Sequence, residues 1–138
     1  MAGGHKHRLR VVGTPEFKRK VGKILALIKV AGYYDFLRTY IRRVSEVDGV
    51  SQLREADAAI WLNVYVVEDP FEGVRFVVQK AEQMRDYLDG KLYYIAGELS
   101  AVRRSIVFLE KLRDSVRDEG LRVRCEEVLK RWTEERVL

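Results

Sequence analysis

Apolar residues recur along this chain mostly at helical spacing. Phe17, Val21, Ile24 and Ile28 share one side of a helix, and Lys18, Arg19, Lys23 and Lys29 fall on the other. Thr14-Pro15-Glu16 marks its start, with a hydroxyl N-cap, a proline in the first turn and an acid at the positive end of the dipole. Beyond Gly32 the apolar stripe shifts by roughly half a turn, to Tyr33, Leu37, Tyr40, Val44 and Val47. Either the helix breaks near Ala31-Gly32, or one long helix is clasped from opposite sides in an assembly. Asp48-Gly49 ends this region.

Gln52 to Val67 reads as a second helix with Ser51 as a candidate cap. Its centre, Ala58-Ala59-Ile60-Trp61-Leu62, is apolar nearly all round and is expected to be buried. The tail Val64-Tyr65-Val66-Val67 has strand propensity, which leaves a short strand as the lesser alternative there. Asp69-Pro70-Phe71-Glu72 starts another helix, whose face runs through Val74, Val77, Val78, Ala81, Met84 and Leu88 to Asp89-Gly90. Leu92, Ile95, Leu99, Val102, Ile106, Leu109 and Val116 form a heptad-like seam with a gap at Arg113. Leu121, Cys125, Val128 and Trp132 define a last helix.

The pattern predicts an all-α protein: a compact bundle of five or six helices over residues 14–138, preceded by a basic N-terminal arm over residues 1–13. The predicted core includes Ile60, Trp61, Leu62, Leu99, Val102, Ile106, Leu109 and Trp132.

Composition narrows the class. With 47% hydrophobic and 34% charged residues, the chain is expected to fold and stay in solution. The longest apolar run, Ala58 to Val67, contains Asn63 and is too short to span a bilayer, and the N-terminus lacks the apolar stretch of a signal peptide. One cysteine, Cys125, excludes an intramolecular disulfide and suits a reducing compartment. Seventeen arginines against nine lysines, with only Asn63, Gln52, Gln79 and Gln83 as amides, lean toward a thermophilic source.

Charge is polarised rather than spread. Residues 1–43 hold eleven cations against Glu16 and Asp35, a net +9; the other 95 residues hold fifteen cations and nineteen acids, a net −4. Such asymmetry points to a polyanion or to an acidic neighbour.

Little else carries chemistry. Both histidines, His5 and His7, lie in the arm, so a serine–histidine or cysteine–histidine pair cannot be built from the fold. A tail His-x-His without further fixed ligands is a poor metal site, and Cys125 on an apolar stripe reads as a small buried hydrophobe. Glycine-rich phosphate loops and Glu-x-x-His pairs are absent. No enzyme, cofactor or metal is expected. Tyr33, Tyr34, Phe36 and Tyr40 stand among cations where they could stack bases, but their helical spacing favours the core.

The basic arm and helix remain. Lys6, Arg8, Arg10, Lys18, Arg19, Lys23, Lys29, Arg38, Arg42 and Arg43 are the candidate contacts to a phosphate backbone, made without base readout. In general plan, the arm Gly3 to Gly13, the basic helix Thr14 to Lys29 and the apolar helices after it, the chain resembles the small α-helical coat proteins of rod-shaped and filamentous archaeal viruses. That resemblance implies a structural protein wrapping double-stranded DNA in the virion. The expected function is non-enzymatic, sequence-independent coating or organising of a duplex by an oligomer, in the cytoplasm or a virion. The alternative is a helical interaction or regulatory module whose basic arm binds an acidic protein.

Overall fold

The computed structural model describes residues 8–90 and 96–137, with side chains given for 8–90 and 103–134. The expected all-α bundle is not what forms. Six helices share the described chain with a four-stranded mixed sheet, making the fold α/β.

Arg10–Val12, expected in the arm, is strand β1. Helix α1, Pro15–Val30, starts as predicted: Thr14 Oγ1 accepts from the Phe17 amide at 3.2 Å, and Phe17, Val21, Ile24 and Ile28 are buried. Gly13 makes the close turn between them, since a Cβ there would lie 2.6 Å from the Phe17 ring and 2.8 Å from Glu46 Cβ. The helix breaks where the stripe changes phase. Gly32 adopts φ +73°, Tyr33 N–H bonds the Ile28 carbonyl and Gly32 N–H the Lys29 carbonyl, a Schellman ending. The break removes the geometric argument for a helix clasped by an assembly.

Helix α2, Tyr34–Tyr40, is short, and Arg43–Glu46 follows as β2. The predicted second helix over Gln52–Val67 is absent. That segment holds β3 (Gln52–Arg54), a 3-10 turn (Glu55–Asp57), β4 (Ala59–Leu62) and a short helix α3, Val64–Glu68. An apolar run of this length suits a buried strand as well as a buried helix. Backbone pairing on both sides decides for the strand here. The lesser alternative also falls: Val64–Val67 is helical, capped by Asn63 Oδ1, which accepts from the Tyr65 and Val66 amides at 3.1 Å.

The sheet runs β1-β2-β4-β3, with β1, β2 and β4 parallel and β3 antiparallel at the far edge. Registers place Val11, Val44, Ile60 and Leu53 in one row and Arg10, Arg43, Ala59 and Arg54 in the next, so these rows face opposite sides. The Val11 row joins the core with the buried faces of α1 and of α4, Pro70–Leu88. Helix α4 has the predicted start, Asp69 Oδ1 accepting from the Phe71 amide at 3.0 Å, and the predicted buried face, except that Leu88 is exposed. Helix α5, Ala96–Ser115, packs on α4, and α6, Glu119–Val137, packs on α5.

Of the predicted core, Ile60, Leu62, Leu109 and Trp132 are buried. Trp61 and Ile106 are half-buried, and the side chains of Leu99 and Val102 lie outside the described set.

Two contacts hold the helical layer. Gly73 sits where α4 meets α1, and a Cβ there would come within 2.2 Å of Ile24 Cδ1. Glu82, 4% exposed, receives the Tyr33 hydroxyl, Arg85 Nη2 at 2.7 Å and Arg104 Nη1 at 3.0 Å, joining α4 to α5 and to the turn after α1. Burial, then the bond to Glu82, pushes the Tyr33 phenol far above its ordinary range.

Gly73→Ala should destabilise the protein by about 1–2 kcal/mol through overpacking, despite alanine's better helix propensity. In an Ile24→Ala background the same change should become stabilising, because the new methyl enters the vacated space; urea melts of the four-member cycle read this. Glu82→Ala should cost about 3 kcal/mol, since it removes the buried acceptor shared by the Tyr33 hydroxyl and two guanidinium groups. The raised Tyr33 phenol favours folding fully below its unfolded value of 10.0, and this contribution fades as pH rises beyond it. Tyr33→Phe should therefore flatten the alkaline end of the stability–pH curve, measured by denaturant melts between pH 8 and roughly 11.

Candidate nucleic-acid interface

The cations singled out in the sequence do not form one surface. Lys6, with His5 and His7, lies outside the described residues. Arg8 and Arg10 are exposed on either side of buried Leu9, as the chain enters β1. Lys18, one turn into α1, lies beside them. Together they line a shallow groove of about 630 Å³ that follows β1 from Arg8 to Gly13. At the edge of the sheet, β1 has one side of its backbone without a strand partner among the described residues.

Farther along α1 the charge is partly neutralised. Arg19 pairs with Glu16 at 2.8 Å, and the Arg19 guanidinium, followed by Lys20, holds the Glu16 carboxyl below its usual range. Lys20 bonds Glu68 and lies 3.6 Å from Glu16. Lys23 is exposed, with no ion pair recorded among the described residues. At the far end of α1, Lys29 lies over the Tyr34 ring at 4.7 Å, and Arg38 lies over the same ring at 5.7 Å while pairing with Asp35 at 2.8 Å. Phe36 packs at a tilt against both Tyr33 and Tyr40, and Tyr33 also meets Phe108 edge-on, so these aromatics pack within the protein.

Arg42 is exposed at the entry to β2, its amide bonded to the Ala58 carbonyl. Arg43 turns to the sheet face away from the core. Register sets it directly beside Arg10, and beyond Ala59 the same row ends in Arg54. The next row on this face is Val12, Ser45, Trp61 and Gln52. Of these eight residues only Ala59 is buried. The Arg54 guanidinium lies 4.3 Å over the Trp61 ring, and its Nη1 is 3.4 Å from Gln52 Oε1. The Nε of Arg43 is buried and has no hydrogen-bond partner among the described residues.

Arg54 and Trp61 were missed as site residues because both fell inside the supposed second helix. Nothing in the segment marked them, since Ala59, Ile60, Trp61 and Leu62 are all apolar; only as a strand do Ala59 and Trp61 face one side and Ile60 and Leu62 the other.

The arrangement can offer guanidinium forks, an ammonium and backbone N–H groups to anionic oxygens, with an aromatic face beside them. Its two outward rows contain no carboxylate, imidazole or thiol. Among the described residues no cluster of three or more His, Cys, Asp or Glu could hold a metal, and no helix is long and apolar enough to cross a membrane. Cys125 is buried, and that burial raises its thiol pKa. Comparison with protein-family models, curated proteins and solved structures finds no match to this chain.

The two tryptophans should separate spectroscopically. Trp132 is 2% exposed, whereas Trp61 stands on the outward face. Trp132→Phe should leave red-shifted emission that acrylamide quenches readily, and Trp61→Phe should leave blue-shifted emission that resists it. The opposite result would place Trp61 in the core.

Proposed function

We propose that this protein binds nucleic acid through phosphate-backbone contacts, without sequence readout and without catalysis. The observation that carries the reading is the meeting of Arg8, Arg10 and Lys18 along the free edge of β1, continued by Arg42 and Arg43 on the next strand. None of the five has an ion pair recorded among the described residues. Cations held on a rigid frame and left unneutralised suit a polyanion. Arg19, Lys29 and Arg38 engage other groups of the chain and are secondary contacts.

A coat or packaging subunit acting as an oligomer on double-stranded DNA, in the cytoplasm or a virion, is one form of this proposal. The helical plan behind the coat-protein resemblance has no place for the sheet, so the reading rests on the charged surface alone. A second reading, binding of an acidic protein, is favoured by the edge position of β1, where an extended acidic segment could add a strand.

Residues 10–12 belong to the sheet, so truncation must stop at residue 7 to spare the fold. On random duplex DNA, affinity should fall with salt at a log–log slope of about −4 for four to five phosphate contacts. Replacing Arg8, Arg10 and Lys18 with glutamine should make that slope shallower by about 2–3 and weaken unrelated sequences equally. Fluorescence anisotropy across a salt series is the measurement. Affinity indifferent to salt and to these substitutions would remove the nucleic-acid reading.

A further inference from the structure

We propose that the outward face of the sheet takes a single nucleic-acid strand, with one unpaired base stacked at Trp61–Arg54 and its phosphates held by Arg10 and Arg43. The inference rests on the nucleic-acid reading above and narrows it, because backbone contacts alone do not choose between a duplex and a single strand.

The outward face is costly as built. Arg10 and Arg43 are register partners on adjacent strands, and like charges directly opposite each other destabilise a sheet. No acid stands in either outward row to relieve them; Glu46, the acid nearest Arg43 in the chain, is in the row of Leu62 on the other face. Arg43 adds a buried Nε–H without a described acceptor, itself unfavourable. A phosphate between the two guanidinium groups offsets their repulsion.

A tryptophan at position 61 gains nothing from the core, which lies on the other side of β4. It stands instead beside Ser45 and Gln52, with a guanidinium over its ring at 4.3 Å. Bases stack on aromatic rings and on arginine planes alike, so ring and guanidinium form a ready platform. In a duplex the base faces are taken up by their neighbours; only an unpaired base can use the platform. Strands about 4.8 Å apart set the arginines of the row within reach of one extended backbone.

The test pairs oligo(dT) with a DNA hairpin duplex of matched charge, each titrated into the full chain. In the Trp132→Phe protein, whose emission comes from Trp61, oligo(dT) should quench fluorescence strongly and the duplex weakly. The red-edge emission of the unsubstituted protein should report the same, which covers failure of that variant to fold. Trp61→Leu should weaken oligo(dT) binding about tenfold, the weight of one stacked base, and change duplex binding less than twofold. Arg10→Gln with Arg43→Gln should make the oligo(dT) salt slope shallower by about 1.4, at roughly 0.7 per contact.

Oligo(dT) that binds without quenching Trp61 would overturn the inference and leave the broader reading standing. So would Trp61→Leu weakening both ligands equally. Poly-glutamate that binds and quenches as well as oligo(dT) would overturn it in favour of an acidic protein. Failure of both nucleic acids to bind would remove the proposed function together with this site.

Discussion

The parallel pairing of β4 with β2 is the constraint on which the rest depends. It sets Ile60 beside Val44, both fully buried, and in the same stroke sets Arg43 beside Ala59 and Ser45 beside Trp61. Strand side chains alternate with a period of two, so one register fixes both faces. A slip of β4 by a single residue would drive Trp61 into the core and turn Ile60 and Leu62 to water. The hydrophobic gain of the inner face therefore holds the charged outer face in place.

Stability is concentrated on the other side of that sheet. Helix α4 meets α1 so closely that position 73 admits no Cβ. It holds α5 through the buried carboxylate of Glu82 and receives α6 through Trp132, whose indole N–H donates to Glu72 at 3.2 Å. Such a layer can support a surface that is locally unfavourable, as two adjacent arginines are. Rules of sheet stability are broken here on the outward face and kept on the inward one, which is the pattern expected where a surface serves something other than folding.

The partition of charge carries the same lesson. Residues 1–43 have a net +9, yet the chain itself occupies part of this excess. Arg19 and Arg38 pair with acids on their own helices, Lys20 reaches Glu68, and Lys29 settles over Tyr34. Among the described residues, the unneutralised cations other than Lys23 gather instead around β1 and the start of β2, where Arg54, from outside the basic third, completes the row. Counting charge located the correct part of the chain without identifying which charges are available.

What the sequence determined by itself was local. Thr14-Pro15 and Asp69-Pro70 act through hydrogen bonds and dihedral preferences within a few residues, so the starts of α1 and α4 were legible, whereas the change of stripe at Gly32 left a break and a continuous helix both open. The buried faces of α1 and α4 and the buried stripe of α6 were legible too, because a helix repeats its pattern over many turns. The sheet was not legible. Its strands are three or four residues long, too short to show a period, and each is stabilised by partners distant in sequence: Arg10 beside Arg43, Val44 beside Ile60. Ala58–Leu62 is apolar enough for a buried helix or a buried strand, and only backbone hydrogen bonds on both sides of β4 decide between them. With that decision Trp61 turns from predicted core to outward face, and Arg10, Arg43 and Arg54 become neighbours. Tertiary structure alone could place them so, because register is a property of paired strands and no single segment contains it.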